Sequence, residues 1–343
     1  MKNLLDTAPL TMDKAGLLKN SMEGDVAVVT GGAGTIGLAV SRSLAWLGAK
    51  IVIASRNPQT GKAAAEFIDC ENKPGTALYV KTDVSDEESM KAMAKAAFKA
   101  FGKVDILVNN AMDMSLGTSI LKTSVAALDR QYEIAVRGAL LGIQAFVPGM
   151  VERHHGVVTY IATAFRYPSG PGNYCAVKAA TSSMMMSLAA ELGPVKDTGV
   201  AVFMYVPTLV GRPRRSDTDV SRGGTFMLPP AIIGYGRGPI PPEDCGATLA
   251  YCIVHAAEIH GSGVNAGQAQ KRMNWPFPAP DTVPGKDFDR IRDQVMVRMF
   301  GYVGPGWPDK IEPLVTVNRS EAPPDEPLGI TALSEGKTLS TKL

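Results

Sequence analysis

Tyr174 and Lys178 stand four residues apart in NYCAVK, the stretch 173–178. On a helix that spacing puts both side chains on one face. An ammonium beside a phenol favours the phenolate and draws a group with a pKa of about 10 toward the working range of an enzyme. Such a tyrosine can give a proton to a carbonyl oxygen or take one from an alcohol. The pair is frequent by chance in any sequence, so its meaning depends on what surrounds it.

The second group is the glycine-rich stretch TGGAGTIG, 30–37, with Gly31, Gly34, Thr35, Ile36 and Gly37. It lies between a continuous apolar run and a segment with helical spacing of apolar residues. Glycines at that place permit a tight turn and close approach of a pyrophosphate. The helix that follows then offers free N–H groups and a positive dipole end. The expected ligand is a dinucleotide. The next apolar run ends in Ala54, Ser55, Arg56 and Asn57, without an acid. An acid there would accept from the ribose 2′-hydroxyl of NAD, whereas a guanidinium suits a 2′-phosphate. NADP(H) is the expected cofactor, and NAD(H) stays open.

These residues need elements to hold them. Runs of buried-strand type occupy 25–30, 50–55, 76–83, 104–110, 156–163 and 200–207, and a last strand is read in SGVNAGQA, 262–269. Helical patterns fill 38–49, 58–71, 85–102, 124–150, 173–192 and 241–259. In 85–102, Ser85 is the expected cap, Glu88 closes a capping box and Gly102 stops the helix. Strands alternating with helices of this length demand crossover connections. The reading is an α/β protein with a Rossmann-type, doubly wound, seven-stranded parallel sheet in one domain, 23–275. Residues 1–22 read as an N-terminal arm. Residues 276–343 read as a Pro-rich C-terminal extension that holds one short helix at 286–299 and wraps the surface or a partner subunit.

Bulk properties exclude several roles. The 343 residues can bury a sizeable core, and 45% hydrophobic with 20% charged residues suits a soluble globular protein. A net charge of +2 gives no support to nucleic acid or an acidic membrane as partner. The apolar runs read as too short or too broken to span a bilayer, and the start has no apolar stretch of signal-peptide length. A cytoplasmic protein is expected. Cys70, Cys175, Cys245 and Cys252 form no CxxC, and His154, His155, His255 and His260 form no HExxH. Cys252, His255 and His260 could approach one another on a helix, but ordinary helix-surface placement is preferred, so no metal site is expected.

With these landmarks in order, the chain resembles the short-chain dehydrogenase/reductase family over 23–275. The resemblance rests on 30–37, Asp83-Val84, Asn109-Asn110-Ala111, Tyr174-x-x-x-Lys178 and Pro207. It implies that Asp83 and Val84 flank the adenine, that Asn110 and Ala111 line the cofactor cleft, and that Pro207 and Thr208 border it. It further implies that Tyr174 is the general acid/base, with Lys178 holding the nicotinamide ribose and depressing the tyrosine pKa. Four positions depart from the pattern. Thr35 stands at a glycine position, so the spacing of Gly31, Gly34 and Gly37 looks like the sugar-nucleotide-modifying branch. Met112 replaces a glycine, and Ala135 stands where the family has its proton-relay asparagine. The catalytic serine is replaced by Thr163, with Ser169 in reserve. The family pairs the helices at 124–150 and 173–192 across a twofold axis, which implies a homodimer or homotetramer.

On the substrate side the resemblance implies a lid at 208–240. Arg212, Arg214, Arg215 and Arg222 there could bind an anion, partly offset by Asp217 and Asp219; a solvated loop is the competing reading. Met112, Met114 and Met227 could line an apolar pocket or fill the core. The expected function is an NADP(H)-dependent oxidoreductase that interconverts a ketone and a secondary alcohol of a small-molecule substrate. The alternatives are an NADPH-dependent enoyl reductase of an acyl thioester, a sugar-nucleotide-modifying enzyme, and a catalytically weak dinucleotide-binding sensor or structural protein.

Overall fold

The strand runs are apolar without alternation, as befits strands covered on both faces. The computed structural model describes residue 5 and residues 7–163, 171–207, 210–211 and 240–275. Its strands are β1 (Val26–Thr30), β2 (Lys50–Ser55), β3 (Ala77–Lys81), β4 (Ile106–Asn109), β5 (Gly156–Ile161), β6 (Val200–Val206) and β7 (Gly263–Asn265). Between them run helices α1 (Thr35–Trp46), α2 (Pro58–Glu71), α3 (Glu87–Phe101), α4 (Val125–Tyr132), α5 (Gly138–Glu152), α6 (Gly172–Leu192), α7 (Val195–Thr198) and α8 (Pro242–Val254), and α9 (Ala266–Arg272) follows β7. The sheet order is β3-β2-β1-β4-β5-β6-β7, and every pairing is parallel. This is the doubly wound Rossmann-type sheet that the alternation of elements predicts.

Successive residues of a strand face opposite sides, and the core divides accordingly. Ala27, Val29, Ile51, Ile53, Ile106 and Val108 meet α1, α2 and α8. Val28, Val52, Ala54, Leu107 and Val158 meet α3, α5 and α6 on the other side. The order reverses between β1 and β4. In such sheets the crevice beyond the carboxyl ends of the strands at that point is where ligands bind.

Several boundaries differ from expectation. Asp86, not Ser85, caps α3 by accepting the Ser89 N–H, because Ser85 turns back to Asp83. Gly102 does end α3, with φ of 78°. The final strand stops at Asn265, where a reciprocal capping box with Gln268 starts α9. The helical run Val125–Glu152 is long and apolar enough by composition to cross a membrane, against the expectation of no such stretch. Half of its most apolar window is buried, with Ile143, Phe146 and Val147 packed into the sheet, as in the core helix of a soluble fold.

The arm before β1 has its own anchor. Met12 and Ala15 are buried, and Lys14 lies over the Trp275 ring. Buried Arg42 of α1 joins Glu71 of α2, Glu243 of α8 and the carbonyl of Ala8. The expected helix at 286–299 lies outside the described residues.

Candidate active site

A parallel sheet brings every strand-end landmark to one edge. After β1 the chain turns at Gly31, whose φ of +64° favours glycine. A Cβ on Gly37 would stand 2.3 Å from the Gly31 carbonyl oxygen and 2.8 Å from Asn110 Nδ2. The turn is therefore closed to any larger side chain. Gly34 caps α1 without a side-chain bond, so the first N–H groups of the helix are not taken by a capping side chain. Thr35 and Gly34 face solvent. This cradle fits a dinucleotide pyrophosphate, and Thr35 at its mouth does not close it.

Asn110 locks the cradle to β4. Its Nδ2 donates to the Thr30 carbonyl at 2.8 Å, and its N–H and that of Ala111 donate to Thr30 Oγ1 at 2.9 and 3.1 Å. Thr30 is thus a positioning residue that strand patterning hid, since it reads as the last residue of an apolar run.

At the tip of β2, Ser55 is half-buried while Arg56 and Asn57 are exposed. Asn57 Oδ1 accepts from Gln59 N–H and Thr60 N–H, which makes it the cap of α2. Arg56 Nη2 meets Asp113 Oδ2 at 3.3 Å, so the cation reaches across the cleft from β2 to the β4 loop. Beyond β3, burial raises the Asp83 carboxyl, but the Ser85 hydroxyl and N–H and the Arg130 guanidinium outweigh it and hold it below its ordinary value. Asp83 is thereby fixed rather than free, and Val84 beside it is buried.

Tyr174 and Lys178 lie in the first turns of α6. Asn173, fully buried, explains how that helix start is held. Its Oδ1 accepts the Thr118 N–H at 2.9 Å and the Tyr174 N–H at 3.0 Å, and its Nδ2 donates to the Leu116 carbonyl at 2.8 Å. Thr163 lies close enough to the Tyr174 phenol to lower its pKa, so the structure brings these two candidates together. Burial nevertheless outweighs the Thr163 hydroxyl and pushes the Tyr174 phenol up to about 12. Lys178 does not depress it as expected. Its ammonium is directed to the Ile161 carbonyl and lies over the Tyr160 ring, and burial draws its own pKa down to about 7.

The departures take definite places. Ala135 is buried within a π turn, Glu133–Arg137, between α4 and α5, and packs with Val136 against Val177. π turns recur at functional sites. Met112 packs on the same cluster, so it fills core. Met114 opens a short 3-10 turn and is half-buried. Pro207 is buried at the end of β6. Thr208, Ser169, Met227, the four lid arginines and both lid aspartates lie outside the described residues. His260 Nδ1 accepts the Val202 N–H, and His255 pairs with Glu258.

Comparison with known proteins gives the context. The family model described as short chain dehydrogenase matches residues 25–219. An uncharacterized oxidoreductase of Staphylococcus saprophyticus is 31% identical over 241 residues, covering 70% of this chain and 95% of that one. Among solved structures, a 3-ketoacyl-(acyl-carrier-protein) reductase from Brucella melitensis complexed with NADH is similar at 27% identity and a TM-score of 0.60, over 71% of this chain and 97% of that one. L-sorbose reductase from Gluconobacter frateurii, complexed with NADPH and L-sorbose, is similar at 25% identity and a TM-score of 0.60, over 71% and 95%.

Proposed function

This chain belongs to the short chain dehydrogenase family and is a dehydrogenase/reductase that uses a nicotinamide cofactor; on that premise we propose that it interconverts a ketone and a secondary alcohol with NADP(H). The bound nicotinamide supplies the chemistry of giving or taking a hydride at the substrate carbon. Gly31, Gly34, Thr35, Ile36 and Gly37 would hold the pyrophosphate, with Asn110 and Ala111 lining the cleft. Ser55, Arg56 and Asn57 would face the ribose 2′-phosphate, with Arg56 exchanging Asp113 for it. Asp83 and Val84 would border the adenine, and Pro207 and Thr208 the nicotinamide end.

Tyr174 would carry the reacting proton on its phenol oxygen. Thr163, beside that phenol, would orient the substrate oxygen. Lys178 would hold the ribose and keep positive charge behind Tyr174. The observation that supports this reading most is the grouping of Tyr174, Thr163 and buried Lys178 at the sheet edge that also carries the glycine cradle. Buried groups with strongly shifted pKa values in a cleft are the usual mark of a functional site.

The enoyl-reductase and sugar-nucleotide alternatives differ on the substrate side, where no described residue favours either; the glycine spacing that points to the second belongs to the cofactor turn. The oxidoreductase relatives displace the sensor alternative. A homodimer or homotetramer in the cytosol completes the reading. Val125, Leu128, Tyr132 and Leu140 form an exposed apolar stripe along α4 and α5, and Ala176, Ala179, Ser183 and Ser187 a small-residue stripe on α6. Both support pairing of these helices with a second copy.

The test has two arms. Titration of NADPH and NADH by fluorescence is expected to show tighter NADPH binding, weakened about tenfold by Arg56→Ala, in line with loss of a charge-assisted contact. Equal affinity for the two cofactors would sink the NADP assignment. In NADPH-linked assays on a panel of ketones, Tyr174→Phe is expected to lose at least a hundredfold in kcat, the usual weight of a positioned acid/base.

A further inference from the structure

Lys178 carries its charge in an unusual setting. Lys178 is 3% exposed, and its ammonium makes no ion pair among the described residues. Among the described residues the titratable groups that face it are the phenols of Tyr160 on β5 and Tyr174 on its own helix; the π turn packed against α6 presents Ala135 and Val136. One N–H is used by the Ile161 carbonyl. The Tyr160 ring centroid lies 4.5 Å from Nζ, and that of Tyr174 lies 5.6 Å away.

Tyr160 is 1% exposed and cannot retreat. Its strand is paired on both sides, with Asn109 of β4 and Met204 of β6 in register with it. The face of an aromatic ring carries negative electrostatic potential and attracts an ammonium within about 6 Å, most strongly where water is excluded. Burial works in the opposite direction and favours the neutral amine.

We infer that Tyr160 is a positioning residue for the reaction, its ring face holding Lys178 charged and aimed toward Tyr174. The ring does this, not the hydroxyl. The inference rests on the role proposed above for Lys178, and it reaches the substrate only through that residue. Sequence alone places Tyr160 in an apolar strand run, where it reads as core.

The test reads the Lys178 titration directly. Cofactor-free protein carrying 13Cε-lysine is titrated by NMR, with the Lys178 resonance assigned by its loss in Lys178→Met. Wild type and Tyr160→Phe are expected to share a midpoint near 7, and Tyr160→Leu to titrate at least half a pH unit lower. Pentafluorophenylalanine at position 160 keeps the ring volume and reverses its potential, so it decides the matter if Tyr160→Leu does not fold; its midpoint should also drop. An unchanged midpoint in a folded leucine or fluorinated variant overturns the inference. Lys178→Met in NADPH titration tests the underlying role separately: undiminished binding would defeat that role, while the midpoints still judge Tyr160.

Discussion

Lys178 keeps its place at a cost to stability. In the unfolded chain its amine titrates near 10.5, and in the fold near 7. Below pH 7 the folded protein buries a charge that the unfolded chain solvates, so the penalty is largest there. It fades as pH rises from the folded toward the unfolded value, because the unfolded state then binds the extra proton. At about 1.4 kcal/mol per unit, the penalty amounts to several kcal/mol at acid pH. Lys178→Met should therefore raise Tm by several degrees at pH 6 and by less at pH 9, while abolishing turnover. Thermal melts at the two pH values check this; an equal or reversed gain would show that the lysine is not buried as a charge. The spacing of Tyr174 and Lys178 was legible in the sequence because a helix face converts four residues into proximity. Tyr160, Thr30 and Asn173 were not legible, since each acts through partners far along the chain: Asn173 reaches Leu116 and Thr118, and Thr30 reaches Asn110.

The glycine turn shows how tightly one element constrains another. Gly37 sits in the first turn of α1, yet a Cβ there would run into Gly31 just after β1 and Asn110 just after β4. Gly37→Ala should cost the fold about 1–3 kcal/mol through overpacking and weaken dinucleotide binding at least tenfold. Denaturant unfolding and NADPH titration read the two effects, and near-wild-type values in both would show that the turn relaxes freely. Elements with strong local signals matched the sequence: α3 ends at Gly102, and Pro58 opens α2 under the Asn57 cap. Elements whose ends depend on tertiary partners did not. Ser85 looked like a cap but is drawn to Asp83 and Arg130, leaving Asp86 to cap the helix. The capping box of Asn265 and Gln268 lies inside a segment that reads as strand.

At the scale of the molecule, alternation of apolar runs with helical patterns was enough to specify the parallel sheet, and parallel direction alone explains why dispersed landmarks meet. The charge network around Arg42 leaves no signal in the sequence, because its members, Arg42, Glu71 and Glu243, belong to three helices that look separately solvated. The exposed stripe on α4 and α5 carries the quaternary expectation. Replacing both Leu128 and Tyr132 by Glu should lower the mass seen by light scattering toward that of one chain, since like charges would face each other across a twofold interface. An unchanged mass would remove this stripe from the assembly.

The amino-terminal rim of the sheet offers a different opportunity. The candidate residues sit at the carboxyl ends of the strands, and the opposite rim is built from turns. Gly75 and Gly102 there have open space around them, but their left-handed φ of +74° and +78° keeps them glycine, so exposed Lys73 in the same turn is the natural attachment point. That rim could accept a tether to a solid support or a grafted loop, and an immobilised protein would then present its cleft outward to the medium.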